Sequence, residues 1–457
     1  MEYHEIKNKE LKLKNNHISL VSEGFCVVCR AVTPWQPLQR NNHVAAVVRQ
    51  SYIFLYRFTI ESKICTIFAE SIEFLMIERT ITAKLQRMTT LYPIVLLTGP
   101  RQSGKSTLLR EKFPEYQYVS LEDLDNRSFA LDDPHGFLDT YPDKTIIDEA
   151  QYAPNLFSYL QTHVDRTNKE GMYILSGSQN FQLMQQISQS LAGRVAILEL
   201  LPFSREELKS ADILPQTIED EMFKGSYPRL FDKGIPPTEF YPYYIKTYVE
   251  RDVRQLKNIG DLGLFVKFIK LCAGRIGQLL NYSSLANDCG IAVSTAQSWL
   301  SLLETSYIVH LLRPDFNNFS KRLIKSPKLY FYDTGLACSL LEIKDAKQVD
   351  SHYLKGGLFE NYVINLFLKK AFNKGEFPQL SFWRDNKGNE VDLLESIEGQ
   401  QFAYEIKSGK TYSADYAHSL KYWAGLSSAD AEHCNIVYSG DKAMKMSEFN
   451  LLTINDL

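Results

Sequence analysis

The stretch Gly99-Pro-Arg-Gln-Ser-Gly104-Lys105-Ser106-Thr107 constrains this chain more than any other. It spells G-x-x-x-x-G-K-S, the P-loop pattern. Before it runs Tyr92-Pro-Ile-Val-Leu-Leu-Thr98, apolar and of strand length, and after it Ser106 to Phe113 has helical spacing. Strand, glycine loop and helix are the context in which such a loop holds phosphate. Gly99 and Gly104 let successive backbone N–H groups turn inward, and the new helix adds its free amides and positive dipole end. The expected ATP contacts are Gly99, Pro100, Arg101, Gln102, Ser103, Gly104, Lys105, Ser106 and Thr107. Lys105 reaches the β- and γ-phosphates, and Ser106 holds Mg²⁺.

Further strands carry the rest of such a site. Lys144-Thr-Ile-Ile-Asp148-Glu149, downstream of Lys105, is an apolar strand ending in two acids. Asp148 is expected to bind Mg²⁺, and Glu149 to orient and deprotonate the attacking water. A strand-end acid pair capping a helix is the plain alternative. Met172-Tyr-Ile-Leu-Ser176-Gly177-Ser178-Gln-Asn180 ends in small polar residues, where a side chain can touch the γ-phosphate. Ser178 is the first choice, with Ser176, Gln179 and Asn180 as rivals and a Ser-Gly turn as the alternative. Arg194 follows Gly193 at the start of an apolar run and is either an arginine finger, in cis or in trans, or an ordinary surface arginine. Runs at 92–98, 116–121, 144–148, 172–176 and 194–200 alternate with helices, which predicts a parallel, doubly wound α/β domain.

With 457 residues, two to four domains are expected. A net charge of −3 gives no global nucleic-acid signal, so any basic surface must be local. The 7 cysteines are odd in number and irregularly spaced, which fits a reducing compartment, and no apolar run reaches the roughly 18 residues of a membrane span. A cytoplasmic protein with no membrane partner is expected. Residues 1–75 are an atypical extension. Cys26 and Cys29 have zinc-knuckle spacing and His43 follows, but no second pair of matching spacing accompanies them. At Met76 an amphipathic helix begins that leads into the P-loop strand, so a true start at Met76 is expected.

Downstream, residues 205–260 are helical and aromatic, with tyrosines expected to pack and Glu250-Arg251-Asp252 either bridging to the ATPase or forming a local ion-pair network. Residues 262–312 are punctuated like a winged helix: Ser284 to Gly290, then Ser294 to Leu303 in the recognition position, then a wing strand from Tyr307. The exposed positions Ser294, Thr295, Gln297, Ser298 and Ser301 are polar but uncharged, which argues against base-specific reading. Arg313, Lys321, Arg322, Lys325 and Lys328 lie close together in the chain and are either phosphate contacts or a solvated loop.

The last stretch of the chain holds a second constellation. Glu360 lies near a helix start, Glu390-Val-Asp392 follows, and Glu405-Ile-Lys407 comes after a Gly399 turn. Alternate strand residues share a face, so Glu405 and Lys407 project together, and hairpin spacing brings Asp392 beside Glu405. Glu360, Asp392 and Glu405 are the expected ligands of a second Mg²⁺ site, with Lys407 positioning or deprotonating water for phosphodiester hydrolysis. The alternative is a solvated salt-bridge face or a retained, idle site.

These motifs together resemble the bacterial and archaeal AAA-type ATPases that carry a C-terminal domain of unknown function related to PD-(D/E)XK nucleases. The matching segments are Leu97 to Ser106, Ile147 to Gln151, Leu175 to Ser178, Leu191 to Arg194, Tyr248 to Asp252, Gly357 to Asn361, and Glu390 to Asp392 with Glu405 to Lys407. The resemblance covers nearly everything from Met76 onward and implies ATP binding, a winged-helix linker and a nuclease-like C-terminal fold. The expected organisation is a P-loop ATPase domain at 76–204, a helical linker at 205–260, a winged-helix-like domain at 261–335 and a nuclease-like α/β domain at 340–457. The expected function is an Mg²⁺-dependent ATPase coupled to a half that acts on or binds nucleic acid, DNA rather than RNA. The alternative is an ATP-gated switch with an idle nuclease-like domain, and a homo-oligomer is left open.

Overall fold

The computed structural model describes residues 10–14, 17–22, 25–29, 77–178, 190–248, 261–315 and 325–457. The side chains of Cys26 and Cys29, with His43, Met76, Gln179, Asn180, Glu250-Arg251-Asp252, Lys321 and Arg322, lie outside the description. The chain divides into two compact units, Met1–Met76 and Ile77–Leu457. The first contains a three-stranded antiparallel sheet of β1 (Glu10–Lys14), β2 (His17–Ser22) and β3 (Phe25–Cys29) in that order.

The second unit opens with a five-stranded, all-parallel sheet. Its strands are β4 (Ile94–Thr98), β5 (Gln117–Ser120), β6 (Thr145–Asp148), β7 (Tyr173–Gly177) and β8 (Val195–Glu199), in the spatial order β5-β6-β7-β4-β8. Both faces are covered, as a parallel sheet requires. Ile94 and Leu96 enter one apolar cluster with Phe157 and Leu160, while Val95 and Leu97 enter another with Leu108 and Leu109. This is the α/β architecture the alternating runs predict. The order places β7 between the P-loop strand and the strand that ends in Asp148.

A helical segment follows, and its tyrosines pack: Tyr227, Tyr241, Tyr244 and Tyr248 are buried, and Tyr227 and Tyr244 share a hydroxyl hydrogen bond of 2.9 Å. Helices Leu262–Ala273, Tyr282–Cys289 and Val293–Thr305 come next, the latter two joined through Gly290 at φ 82°. Trp299 packs edge-on against Phe265 and Phe268. The antiparallel pair β9 (Val309–Leu312) and β10 (Lys328–Phe331) completes this segment.

On β9, His310 is buried and stacked on Tyr330, with Nε2 lacking a hydrogen-bond partner. Burial pushes its pKa down to about 3. The unfolded chain therefore binds a proton near pH 6.5 that the native state refuses. Stability is full above that value and is lost progressively as pH falls from it towards the native pKa. From pH 7.5 to pH 5 this residue alone removes about 2 kcal/mol. Urea titrations of the wild type and His310→Phe at both pH values check this. The variant should lose less on acidification by that same amount, and equal losses would sink the assignment.

The C-terminal part is one long helix, Lys355–Asn373, then the antiparallel meander β11 (Leu380–Arg384), β12 (Glu390–Ile397) and β13 (Gln400–Lys407). Helix His418–Ser427 then crosses to β14 (Cys434–Tyr438), parallel to β13, and β15 (Met444–Lys445) and β16 (Asn450–Leu452) extend the sheet. One apolar cluster runs from the helical segment through Leu358, Val363 and Phe367 to Ile406 and Val437, so the middle and C-terminal parts share a core. Among the described residues no helix is long and apolar enough to cross a membrane.

Candidate functional sites

The loop after β4 is shaped for an anion. Gly99 has φ 146°, and a Cβ there would lie 2.2 Å from the Leu200 carbonyl oxygen, so only glycine fits. Gly104, at φ 94°, caps the helix Lys105–Lys112. The Lys105 ammonium is buried and donates to the carbonyls of Gly99 at 2.9 Å and Pro100 at 2.8 Å. Burial lowers its pKa to about 8, against the pull of Glu149 and Asp148. The Ser103 hydroxyl is fully buried with no hydrogen-bond partner. A curled loop, an ammonium whose acceptors are the loop's own carbonyls and an unsatisfied hydroxyl fit a nucleotide phosphate group with its Mg²⁺.

The acids at the end of β6 lie at the same carboxyl edge of the sheet. Asp148 is buried and accepts from the Tyr118 hydroxyl at 2.5 Å. Burial and Asp148 together push the Tyr118 hydroxyl up to about 12. Glu149 sits in the left-handed region at φ 55°, unusual for a residue with a side chain. Gln151 donates from Nε2 to Glu149 Oε2 and lies 3.4 Å from Ser178 Oγ at the end of β7. Glu149, Gln151 and Ser178 thus form one chain of polar contacts. Ser176 is buried, its hydroxyl without a partner.

Arg194, read as a finger in cis or in trans or as an ordinary surface arginine, lies away from the P-loop of its own chain. It precedes β8, whose first residue Val195 pairs with Ile94, at the amino end of the P-loop strand. The phosphate loop leaves the opposite end, four strand steps or about 13 Å away. Its guanidinium grips Asp165 through Nε at 2.6 Å and Nη2 at 2.9 Å. It does not reach its own P-loop.

Arg79 was missed in the sequence, where it lies in a run marked only as a helix start. It is 5 % exposed and bridges three elements. Nη1 donates to the Ser103 carbonyl at 2.8 Å, Nη2 to the Leu201 carbonyl at 2.6 Å and Nε to Glu207 at 3.2 Å. Just beyond Leu201, the Phe203 carbonyl accepts from Lys369 Nζ at 2.8 Å, on the long C-terminal helix.

The second constellation does come together. Continuing the β12–β13 register beyond Leu393↔Tyr404 sets Asp392 opposite Glu405. Lys407 Nζ donates to Glu405 at 2.5 Å and Asp392 at 3.3 Å, and the Ile406 N–H donates to Asp392 at 2.9 Å. Glu360 approaches from its helix. Between Glu360 and Asp392, however, stands Lys328, which its neighbours in sequence suggest is part of a basic surface cluster. It is 2 % exposed, and Nζ lies 2.7 Å from Glu360 Oε1, 3.4 Å from Asp392 Oδ1 and in contact with Glu390. Burial pushes the Glu360 and Glu405 carboxyls up; it acts likewise on Asp392, but Lys407 and Lys328 outweigh it and hold Asp392 low. Among the described residues, no group of three or more His, Cys, Asp and Glu is arranged to hold a metal ion. Lys328 and Lys407 pair with the carboxylates as placed, and the position between Glu360 and Asp392 is filled by an ammonium nitrogen, which does not fit a divalent ion there.

Three family models match: an AAA domain at residues 91–209, a domain of unknown function (DUF8612) at 215–347 and another (DUF4143) at 355–457. The chain carries an AAA-type P-loop ATPase domain. The uncharacterized proteins Mb2031c of Mycobacterium bovis and Rv2008c of Mycobacterium tuberculosis are each 31% identical to it over 375 residues, 81% of this chain and 82% of theirs. The uncharacterized protein MJ1637 of Methanocaldococcus jannaschii is 25% identical over 72% of this chain and 78% of its own. Among solved structures, the Walker-type ATPase PABY2304 of Pyrococcus abyssi is similar with a TM-score of 0.38 and 15% identity, covering 57% of this chain and 94% of that one.

Proposed function

This chain belongs to the same family as the uncharacterized mycobacterial proteins Mb2031c and Rv2008c, and we propose that it is an Mg²⁺-dependent ATP hydrolase whose nucleotide state switches a nuclease-like C-terminal half that engages nucleic acid. The observation that carries the ATPase reading is the buried Lys105 ammonium folded onto Gly99 and Pro100, with Asp148 and Glu149 at the same sheet edge. Mg²⁺, when bound, offsets charge on the phosphates; Ser106 and Asp148 hold it. Lys105 leaves its two carbonyls for phosphate oxygens, Glu149 takes the proton of the attacking water, and Ser178, held through Gln151, orients the γ-phosphate side. Arg194 contributes only across a contact between copies, so a homo-oligomer is part of this reading. The domain divisions at 76–204, 205–260, 261–335 and 340–457 belong to it as well.

Coupling has a physical route. Leu200 packs against Gly99, Leu201 is tied to the loop through Arg79, and Phe203 is tied to Lys369. Glu360 lies about 13 Å along the same helix. A loop that moves on binding phosphate therefore pulls on the element that carries the second constellation.

The order helix, three-stranded meander, helix, parallel strand supports the nuclease-like reading of 340–457. The helix Val293–Thr305 exposes Ser294, Gln297 and Ser301 ahead of β9, which supports backbone contact by a winged helix rather than base reading. Cutting and binding without cutting are the two readings of this half, and Lys328 among the carboxylates supports the second. The test incubates single- and double-stranded DNA and RNA with the full chain, Mg²⁺ or Mn²⁺, with and without ATP, beside Lys105→Ala and Asp392→Ala. Phosphate release lost in Lys105→Ala, with nucleic acid bound but intact, is the expected result. Cleavage lost in Asp392→Ala would restore the nuclease reading, and full phosphate release by Lys105→Ala would end the ATPase reading.

A further inference from the structure

We infer that Lys328 is the built-in cation of the C-terminal carboxylate cluster, so that the cluster in this fold is a closed ion-pair cage that admits a divalent ion only when the ammonium leaves. The inference rests on reading those carboxylates as one site and concerns what fills it.

An ammonium has three N–H donors. Lys328 has three carboxylates around it: Glu360, Glu390 and Asp392. Its hydrogen-bonding capacity is matched, and the Phe382 ring lies 5.6 Å from Nζ on a further side. Most of the carboxylate oxygens are committed in turn. Asp392 gives Oδ1 to Lys328 and Oδ2 to Lys407 and the Ile406 N–H. Glu360 Oε1 takes both Lys328 and the Tyr330 hydroxyl. Glu390 also holds Arg384. Glu405 Oε2 is buried without a hydrogen-bond partner and Glu360 Oε2 takes none of these donors, so what closes the site is the Lys328 nitrogen between Glu360 and Asp392. Mg²⁺ needs about six oxygens at close to 2.1 Å, and the place where Glu360 and Asp392 could supply two of them is taken by nitrogen.

Lys328 is not a surface lysine folded in by chance. Its backbone is fixed on both sides: it pairs with Leu312 of β9 and bridges to Leu279. The adjacent Pro327 and Leu329 carbonyls accept from Leu280 and Gly277 at 2.8 and 2.9 Å. The ammonium is delivered by β10, a strand paired with β9 in the middle of the chain, not by the nuclease-like sheet. Opening the cage requires the Lys328 side chain to rotate out of the cluster or β10 to shift against the helix that carries Glu360.

The experiment is Mn²⁺ binding to the full chain without nucleotide, followed by electron paramagnetic resonance. The proteins are the wild type, Asp392→Asn, Lys328→Ala and Lys328→Met/Glu390→Gln. The double variant removes one charge of each sign and keeps Glu360, Asp392 and Glu405. Expected are superimposable isotherms for the wild type and Asp392→Asn, and one additional Mn²⁺, bound at least tenfold tighter, in a Lys328 variant. Adding Asp392→Asn to that variant should remove it. A wild-type Mn²⁺ ion that disappears in Asp392→Asn overturns the inference, as does a folded Lys328 variant that gains none. Should neither Lys328 variant fold, the comparison of wild type with Asp392→Asn decides alone. Phosphate release by the same wild-type preparation reports separately on the P-loop.

Discussion

Glu149→Gln lowers ATP turnover by about 10²- to 10⁴-fold, the usual contribution of a general base, while ATP affinity stays within a few-fold. The separation follows from geometry. Asp148 is the buried residue at the strand end and, in the proposed function, the one that holds the metal, so changing it would alter affinity and turnover together. Glu149 is turned away from the strand by its left-handed backbone and is held by the Gln151 amide. A glutamine at 149 keeps the size and an oxygen to accept from Gln151, but it cannot take a proton from water. Phosphate release in steady state and binding of a fluorescent ATP analogue measure the two quantities. Turnover within threefold of wild type would remove Glu149 from the chemistry and leave Asp148 as the candidate base.

What the sequence could reveal depended on how local each feature is. The P-loop and the Asp148-Glu149 strand end are legible because strand, turn and helix follow one another without interruption. The strand order is not, since nothing near Ser178 states that β7 lies between β4 and β6 and so brings Ser178 to Gln151. Arg194 had a usable signal. In a parallel sheet the ligand side is the carboxyl edge, where Asp148 and Ser178 end or follow their strands, whereas Arg194 precedes its strand and falls at the other edge. Lys328 misled because a short run dense in basic residues looks like a surface patch. Its place at the head of Leu329-Tyr-Phe331, an apolar strand, was the opposing hint. The three carboxylates it meets, however, come from the long helix Lys355–Asn373 and from β12, far along the chain. Asp392 beside Glu405 was recoverable because a hairpin fixes register over a few residues.

Arg79→Met destabilises the second unit by about 3–5 kcal/mol, the effect of leaving one member of a buried ion pair behind. Glu207 is 3 % exposed and accepts from Arg79, from the Thr80 N–H and from the Ser204 N–H. Without the guanidinium its charge loses its hydrogen-bonded cation and keeps only the longer-range pull of the Lys369 ammonium, and the Ser103 and Leu201 carbonyls lose their donors as well. Methionine keeps much of the contact with the Phe203 ring, 4.9 Å from the guanidinium carbon, so lost packing is the smaller part. Arg79→Lys does not rescue, because one ammonium on a flexible stem cannot match a planar fork that reaches three acceptors. The variant also reports on function: the Ser103 carbonyl lies inside the phosphate loop, so the Michaelis constant for ATP should rise while the chemistry at Glu149 is untouched. Urea unfolding and steady-state phosphate release give both readings. A loss below about 1 kcal/mol, the worth of one ordinary hydrogen bond, would mean that water replaces the guanidinium at that junction. An unchanged Michaelis constant with full destabilisation would mean that Arg79 holds the Leu200–Phe203 segment in place without shaping the loop, and the route from nucleotide to Lys369 would then have to run through Gly99 alone.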